Sequence, residues 1–210
     1  MAGMTGKSTF KRRKHGRNRK RFHVLTLFLV ALLSVFCVIG IWNAGSFLFS
    51  FFGRESHYDT LIMQAGIRNG VDPRLIKAVI WRESKFVARA RGSKGEVGLM
   101  QIMPKRAAVD WAKAKGFPPP TAGALFHPEL NIEVGSWYLG RAIQRWRLFK
   151  NGTALALCEY NAGLKRAHEW KPETAGGDVV DRIKFPSTKK YVTTILARYE
   201  KYKKEWKELQ

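Results

Sequence analysis

The stretch Ile80-Trp81-Arg82-Glu83-Ser84 ends an apolar helical pattern on an acid, and the glycine-rich run Gly95-Glu96-Val97-Gly98-Leu99-Met100-Gln101-Ile102-Met103-Pro104 follows it. Upstream, Asp72-Pro73-Arg74 supplies an N-cap candidate with proline at the first helical position. Leu75, Ile76, Val79 and Ile80 then form the apolar stripe of a helix. Glu83 lies seven, four and three positions beyond Ile76, Val79 and Ile80, so the helical period puts its side chain on that buried stripe. A carboxyl in apolar surroundings has its charged form disfavoured and its pKa raised, which suits a general acid. Periodicity alone leaves two other readings open: Glu83 pairs with a buried arginine, or it caps the end of its helix.

Outward from this stretch the pattern stays helical. Tyr58 to Asn69 reads as a short helix ended by Asn69-Gly70, and Pro104 marks the start of another through Trp111 and Ala114. Gly92, Gly95 and Gly98 break the periodicity between them, which predicts a loop whose backbone comes close to a ligand. Asn131 to Arg145 is again helical, and small Gly135 and Gly140 in it predict close helix contacts. Ala154 to Cys158 leads into Tyr160-Asn161-Ala162-Gly163; Ser187 is an N-cap candidate before Tyr191, Val192, Ile195, Leu196 and Tyr199 at helical spacing. No run of alternating strands and no internal repeat is present, so the expected fold class is mainly α.

The N-terminal quarter is of another kind. Residues 1–21 hold nine Lys/Arg and no acid, a basic arm, whereas residues 22–53 contain no Asp, Glu, Lys or Arg, and Val24 to Trp42 is almost wholly aliphatic or aromatic. A membrane-spanning helix needs about 20 such residues, so residues 22–53 are expected to form a single transmembrane signal-anchor. A cleaved secretory signal is the alternative. The long basic region, an apolar stretch longer than the usual ~7–15 residues and the lack of a clean small-x-small site stand against it, Asn43-Ala44-Gly45-Ser46 being the one weak candidate for cleavage. The positive-inside rule keeps residues 1–21 cytoplasmic and sends residues 54–210 across the membrane. In a bacterium that is the periplasmic or extracytoplasmic side of the inner membrane, with membrane lipid as the partner of the N-terminal helix.

The whole chain carries a net charge of +22, and with the nine arm residues set aside 29 Lys/Arg against 16 Asp/Glu still leave +13. A solvated basic face accounts for scattered lysines; attraction to anionic cell-wall polymers and carboxylated peptides is the functional reading. Nucleic acid is not expected as a partner, because no recognisable nucleic-acid motif is present and the span places the domain on the wrong side. Cys37 falls in the span and Cys158 in the outer domain, so no bridge between them is expected, and bulky Phe36 before Cys37 argues against lipid attachment. The five histidines lack ligand spacing, and no metal or cofactor is expected.

With Tyr160-Asn161-Ala162-Gly163, the two opening segments closely resemble the catalytic domain of lytic transglycosylases of the soluble, goose-lysozyme-like family (glycoside hydrolase family 23 type), over roughly Tyr58 to Tyr199. The resemblance implies a lysozyme-like helical domain acting on the glycan strands of peptidoglycan, with Glu83 as the catalytic residue. In that family the glutamate of the Glu-Ser pair protonates the glycosidic oxygen between N-acetylmuramic acid and N-acetylglucosamine. It then takes the proton of the muramoyl C6 hydroxyl, which closes on C1 as a 1,6-anhydro end. One acid thus does the work of the two carboxyls of most glycosidases.

By motif, Gly98, Leu99, Met100 and Gln101 resemble the segment lining the sugar subsites, with Met103 an apolar wall. Tyr160 and Asn161 match the pair bordering the cleavage point, Tyr191 the tyrosine that reaches toward the acid, and Ser84 the serine that follows it. Met103 fits a core position equally well, Tyr191 a helix stripe and Ser84 a helix cap. Phe126-His127-Pro128-Glu129-Leu130-Asn131-Ile132 resembles a structural segment of the family. Two departures stand out. The family's serine nine residues after the acid, which contacts the substrate N-acetyl group, is here Gly92, with Ser93 adjacent. The family's Glu-Thr before the late tyrosine is replaced by Ser187-Thr188-Lys189-Lys190. Two rival functions remain open: a hydrolase on the same scaffold, as in goose-type lysozymes, with Glu96 assisting a water, and a non-catalytic cell-wall-binding scaffold.

Overall fold

The computed structural model describes residues 29, 30, 32–42 and 54–206. The chain divides between Phe52 and Gly53 into two units. In the first, residues 29, 30 and 32–42 are helical and are called α1; its apolar side chains, Leu33, Phe36, Ile41 and Trp42 among them, are exposed. Among the described residues no helix is long and apolar enough to cross a membrane. The anticipated basic arm and both ends of the anticipated span lie outside the described residues.

The second unit is helical: α2 (Asp59–Asn69), α3 (Pro73–Ser84), α4 (Ala107–Lys115), α5 (Pro128–Arg145), α6 (Gly152–Ala162), α7 (Leu164–Trp170) and α8 (Pro186–Glu205), with single 3₁₀ turns at Ala124–Phe126 and Val180–Arg182. Among the described residues there is no strand, only isolated bridges joining Arg91 to Val97 and Val97 to Ile102. The mainly α expectation therefore holds. Three helix starts differ from the sequence reading. Helix α4 begins at Ala107 rather than Pro104, because Pro104, Lys105 and Arg106 form a turn. Helix α5 begins earlier, with Pro128 in its first turn. Ser187 is not the cap of α8: Pro186 already lies in the first turn, and the boundary is Phe185. Proline, whose missing N–H costs nothing in a first turn, sets both of the latter starts.

Helix α3 is the centre of the domain. It packs most extensively against α8 and also against α2. Its Leu75, Ile76, Ala78, Val79 and Ile80 are buried, and so is Lys77. The sequence stripe is thus widened to nearly the whole circumference. Lys77 tolerates this because its ammonium reaches Asp59 at 2.7 and 2.9 Å and lies over the ring of Trp206. Asp72 caps α3 as the sequence implies, accepting the backbone N–H of Arg74 at 2.9 Å. The second buried helix is α6, with Leu155, Ala156, Leu157 and Cys158 inaccessible to solvent; it lies against α5, α7 and α8.

The two helical glycines of α5 permit close approach, as their size suggests, but to different neighbours. A Cβ on Gly140 would lie 2.5 Å from the carbonyl oxygen of Asn69, at the end of α2. One on Gly135 would lie 2.4 Å from the sulfur of Met100, in the glycine-rich loop rather than in a helix. The α5 surface therefore seats both α2 and the loop that follows Glu83.

Candidate active site

The end of α3 is shaped by an unusual turn. Lys85 and Phe86, both non-glycine, have φ of 53° and 62°, and Gln101 has φ of 49°; these are the non-glycine residues with positive φ among those described. Such conformations are disfavoured for L-residues and persist where surrounding packing over-determines them. Here the fixing element is Phe86, fully inside the core. The chain reverses immediately after Glu83-Ser84, and Glu83 is left partly buried on the last turn of α3, next to the cleft-lining Arg82.

The opposite wall is the loop Gly92 to Met103, closed by backbone bonds from Gly92 N to Glu96 O (2.8 Å) and between Val97 and Ile102 (3.0 and 2.9 Å). Asn131, buried on α5, clamps it. Its amide donates to the carbonyls of Val97 and Leu125, each at 2.8 Å, and its oxygen accepts Met100 N–H at 2.8 Å. Gly98, at φ 81°, lies so close to this amide that a Cβ would sit 2.2 Å from Asn131 Nδ2. Glycine is required there by both conformation and space.

Between these walls lies a cleft of about 1070 Å³ lined by residues that include Arg82, Glu96, Gln101, Met103, Tyr160 and Asn161. Three hydrogen bonds organise it. Tyr191, on α8, donates its hydroxyl to Glu83 Oε1 at 2.6 Å. Tyr160, on the last turn of α6, donates to the Met100 carbonyl at 2.9 Å. Thr188 donates to Asn161 Oδ1 at 2.8 Å, which leaves the Asn161 amide protons for other partners. Gln101 turns its own amide back onto the Gly98 carbonyl at 2.8 Å.

Burial pushes the Glu83 carboxyl up to about 7, against the smaller lowering effects of the Tyr191 hydroxyl and the Arg82 guanidinium; the Glu96 carboxylate adds to the rise. Tyr191 and Tyr160 are held well above the ordinary phenol range, first by burial and then by the neighbouring Glu83 charge. Both remain hydrogen-bond donors throughout the working pH range. A carboxyl that is protonated near neutrality and oriented by a neutral donor can give up a proton and take one back.

The other anticipated site residues are placed unevenly. Gln101, Met103, Tyr160 and Asn161 line the cleft. Leu99 and Met100 are fully buried, so their side chains belong to the core, and neither they nor Gly98 line the cleft. Ser84 is buried and donates back to the Ile80 carbonyl at 3.2 Å. Ser93 is exposed and does not line the cleft. Glu83 does not itself appear in the cleft lining, but Arg82, Glu96 and Tyr160, whose charges or hydroxyls act on it or feel it, do. Two further acids are engaged elsewhere: Glu133 pairs with Arg68 at 2.9 Å, and Glu159 is bound by Arg145 and by Trp146 Nε1. Asn131 and Thr188 carried no local signal of their roles, since each depends on a partner 27 to 34 positions away. Among the described residues no group of three or more His, Cys, Asp or Glu is arranged to hold a metal ion.

Comparison with known proteins accords with this geometry. Residues 60–179 match the family model described as the transglycosylase SLT domain. The soluble lytic murein transglycosylase of Escherichia coli (strain K12) is 34% identical over 131 residues, covering 60% of this chain and 19% of that protein. The membrane-bound lytic murein transglycosylase C of Photorhabdus laumondii is 31% identical over 152 residues, 64% of this chain and 43% of that one. The chain thus spans less than half the length of these curated relatives. Among solved structures, the 70 kDa soluble lytic transglycosylase of Escherichia coli superposes with a TM-score of 0.63 at 29% identity, covering 71% of this chain and 24% of that one. An inactive mutant of the lytic transglycosylase Slt of Pseudomonas aeruginosa gives a TM-score of 0.63 at 27% identity, over 72% and 24% of the respective chains. The matched region contains α3, the glycine-rich loop and α6, and on this match the chain belongs to the transglycosylase SLT domain family.

Proposed function

We propose that this protein is a membrane-anchored lytic transglycosylase that cleaves the β-1,4 bond between N-acetylmuramic acid and N-acetylglucosamine in peptidoglycan. The observation that carries the reading is the state of Glu83: desolvated, raised to about 7, and held at 2.6 Å by Tyr191, next to a cleft of about 1070 Å³ whose walls include Arg82, Glu96 and Tyr160. Glu83 donates its proton to the glycosidic oxygen, and the C1–O bond breaks with its electron pair going to that oxygen. The resulting carboxylate takes the proton of the muramoyl C6 hydroxyl as O6 bonds to C1, leaving a 1,6-anhydro end. Tyr160 and Asn161 border the reacting sugars, Gln101 hydrogen-bonds them and Met103 walls the cleft, while Tyr191 orients the acid. Ser84, Gly98, Leu99 and Met100 contribute to the subsites chiefly as framework, whereas Ser93 lies outside the cleft lining.

Residues 54–210 form the catalytic domain, residues 1–21 a cytoplasmic basic arm and residues 22–53 the anchor in the bacterial inner membrane. The anchor rests on the apolar, uncharged composition of residues 22–53, on the exposed apolar side chains of α1 and on the membrane-bound relatives. Presence of Glu96 as a second carboxylate on the cleft wall favours one alternative, hydrolysis by water in place of the C6 hydroxyl. Mass spectrometry of soluble products released from purified peptidoglycan by the detergent-solubilised chain separates the readings. Anhydro-muropeptides that disappear in Glu83→Gln support the transglycosylase, reducing ends support the hydrolase, and binding without any product supports a scaffold.

A further inference from the structure

Glycine at position 92 leaves a space, and Glu96 occupies it. A Cβ built on Gly92 would fall 2.3 Å from Glu96 Oε2 and 2.8 Å from Gln101 Oε1, so the carboxylate rests against the bare glycine backbone beside Gln101. The Lys94 N–H donates to the same Oε2 at 2.8 Å, and the bond from Gly92 N to Glu96 O fixes the turn. Glu96 lines the cleft and acts electrostatically on Glu83. The remaining acids on the cleft wall are Asp110, on α4, and Glu159, which is consumed by Arg145 and Trp146.

We propose that Glu96 is a second catalytic residue of the cleft, seated by the space at Gly92 and the Lys94 N–H so that its carboxylate faces the anomeric carbon and stabilises the positive charge that develops there. This rests on the transglycosylase reading and adds to it. When Glu83 protonates the leaving oxygen and the C1–O bond opens, C1 and the ring oxygen share a positive charge until O6 closes on C1. A fixed carboxylate at that point lowers the barrier without forming a bond or moving a proton, and preorganised charge of this kind contributes strongly to catalysis. Tyr191 touches Glu83, and Arg82 and Glu96 act on it through charge, Glu96 being the one that adds negative charge.

The test is steady-state kinetics on purified glycan strands with the full chain in detergent, comparing wild type, Glu83→Gln, Glu96→Gln, Glu96→Asp and Gly92→Ser, each checked by thermal melting. Anhydro products that vanish in Glu83→Gln establish the underlying reading independently. Given that, Glu96→Gln should lower kcat about 10- to 100-fold with KM nearly unchanged, keep the product type, and move the high-pH limb of the profile downward, because a negative neighbour of Glu83 is lost. Glu96→Asp should recover part of kcat. Gly92→Ser should lower kcat in the same direction with Glu96 still present, since a side chain there collides with the carboxylate. An unchanged kcat in Glu96→Gln overturns the proposal, as does the loss of a reducing-end fraction that wild type releases beside its anhydro products, which would make Glu96 a base for water. A rise in KM alone would make it a substrate-binding group and overturn it equally.

Discussion

The hydroxyl of Tyr191 and the carboxyl of Glu83, 108 positions apart in sequence, meet at 2.6 Å. This bond lowers the proton affinity of Glu83 while burial raises it, and burial wins. Tyr191→Phe removes the lowering contribution alone. The expected result is a high-pH limb displaced upward, a kcat about tenfold lower from loss of orientation, and a stability cost of about 1 kcal/mol. A pH series of kcat/KM with a urea titration measures all three; an unmoved limb would show that the bond does not act on the acid.

Glu83 must be protonated to act as acid, so kcat/KM is expected to fall about tenfold per pH unit once pH passes about 7. The same shift has a stability consequence of opposite value to the cell. The ordinary value of 4.5 applies in the unfolded chain and about 7 in the folded one, so the folded state binds the extra proton across that window. Stability from this group is full below about 4.5 and is lost as pH rises toward about 7. Glu83→Gln should therefore be inactive yet more stable than wild type at pH 8, by about 1–3 kcal/mol, and indistinguishable at pH 4. Denaturant titrations at the two pH values check it.

Thr188 is buried and holds Asn161 through a 2.8 Å bond. In Thr188→Val the shape is kept and the donor lost, which frees the Asn161 side chain to turn. Expected are a KM raised several-fold, kcat reduced, and little change in melting temperature, with Thr188→Ser restoring most of the activity. Equal kinetics in Thr188→Val and wild type would leave the bond without a functional role.

How legible this was in the sequence depends on how local each determinant is. Asp72-Pro73 and the apolar stripe of α3 follow from helical period within one segment, and the structure places them as read; Glu83, expected on the same stripe, is only partly buried at its end. Starts of α4 and α8 were missed because Pro104 and Ser187 each satisfy the local rule, and the choice between neighbouring candidates is made by tertiary packing. Leu99 and Met100 illustrate a different limit. A motif marks the segment as close to the site but does not say which side chains face inward, and here the clamp of Asn131 on Val97, Leu125 and Met100 turns them to the core. The seat of Glu96 was invisible for a related reason: Gly92 reads as a loop breaker, and only the folded turn shows that its missing side chain is filled by a carboxylate.

The wall behind Tyr160 tests whether the framework and the cleft are coupled. Glu159 is buried next to Tyr160 and is held by the guanidinium of Arg145 and by Trp146 Nε1 at 2.8 Å. Removing one member of a buried pair leaves the other uncompensated, which costs about 3–5 kcal/mol, whereas replacing both by neutral groups of similar shape costs far less. Arg145→Met should thus be destabilised by about 3 kcal/mol, and Arg145→Met with Glu159→Gln should regain most of that. Because Tyr160 donates to the Met100 carbonyl from the same helical turn, the single variant should also raise KM, and the double variant should bring it back toward wild type. Urea midpoints and KM for the two variants decide the matter: recovery of stability without recovery of KM would mean that the ion pair supports the fold but does not set the position of Tyr160.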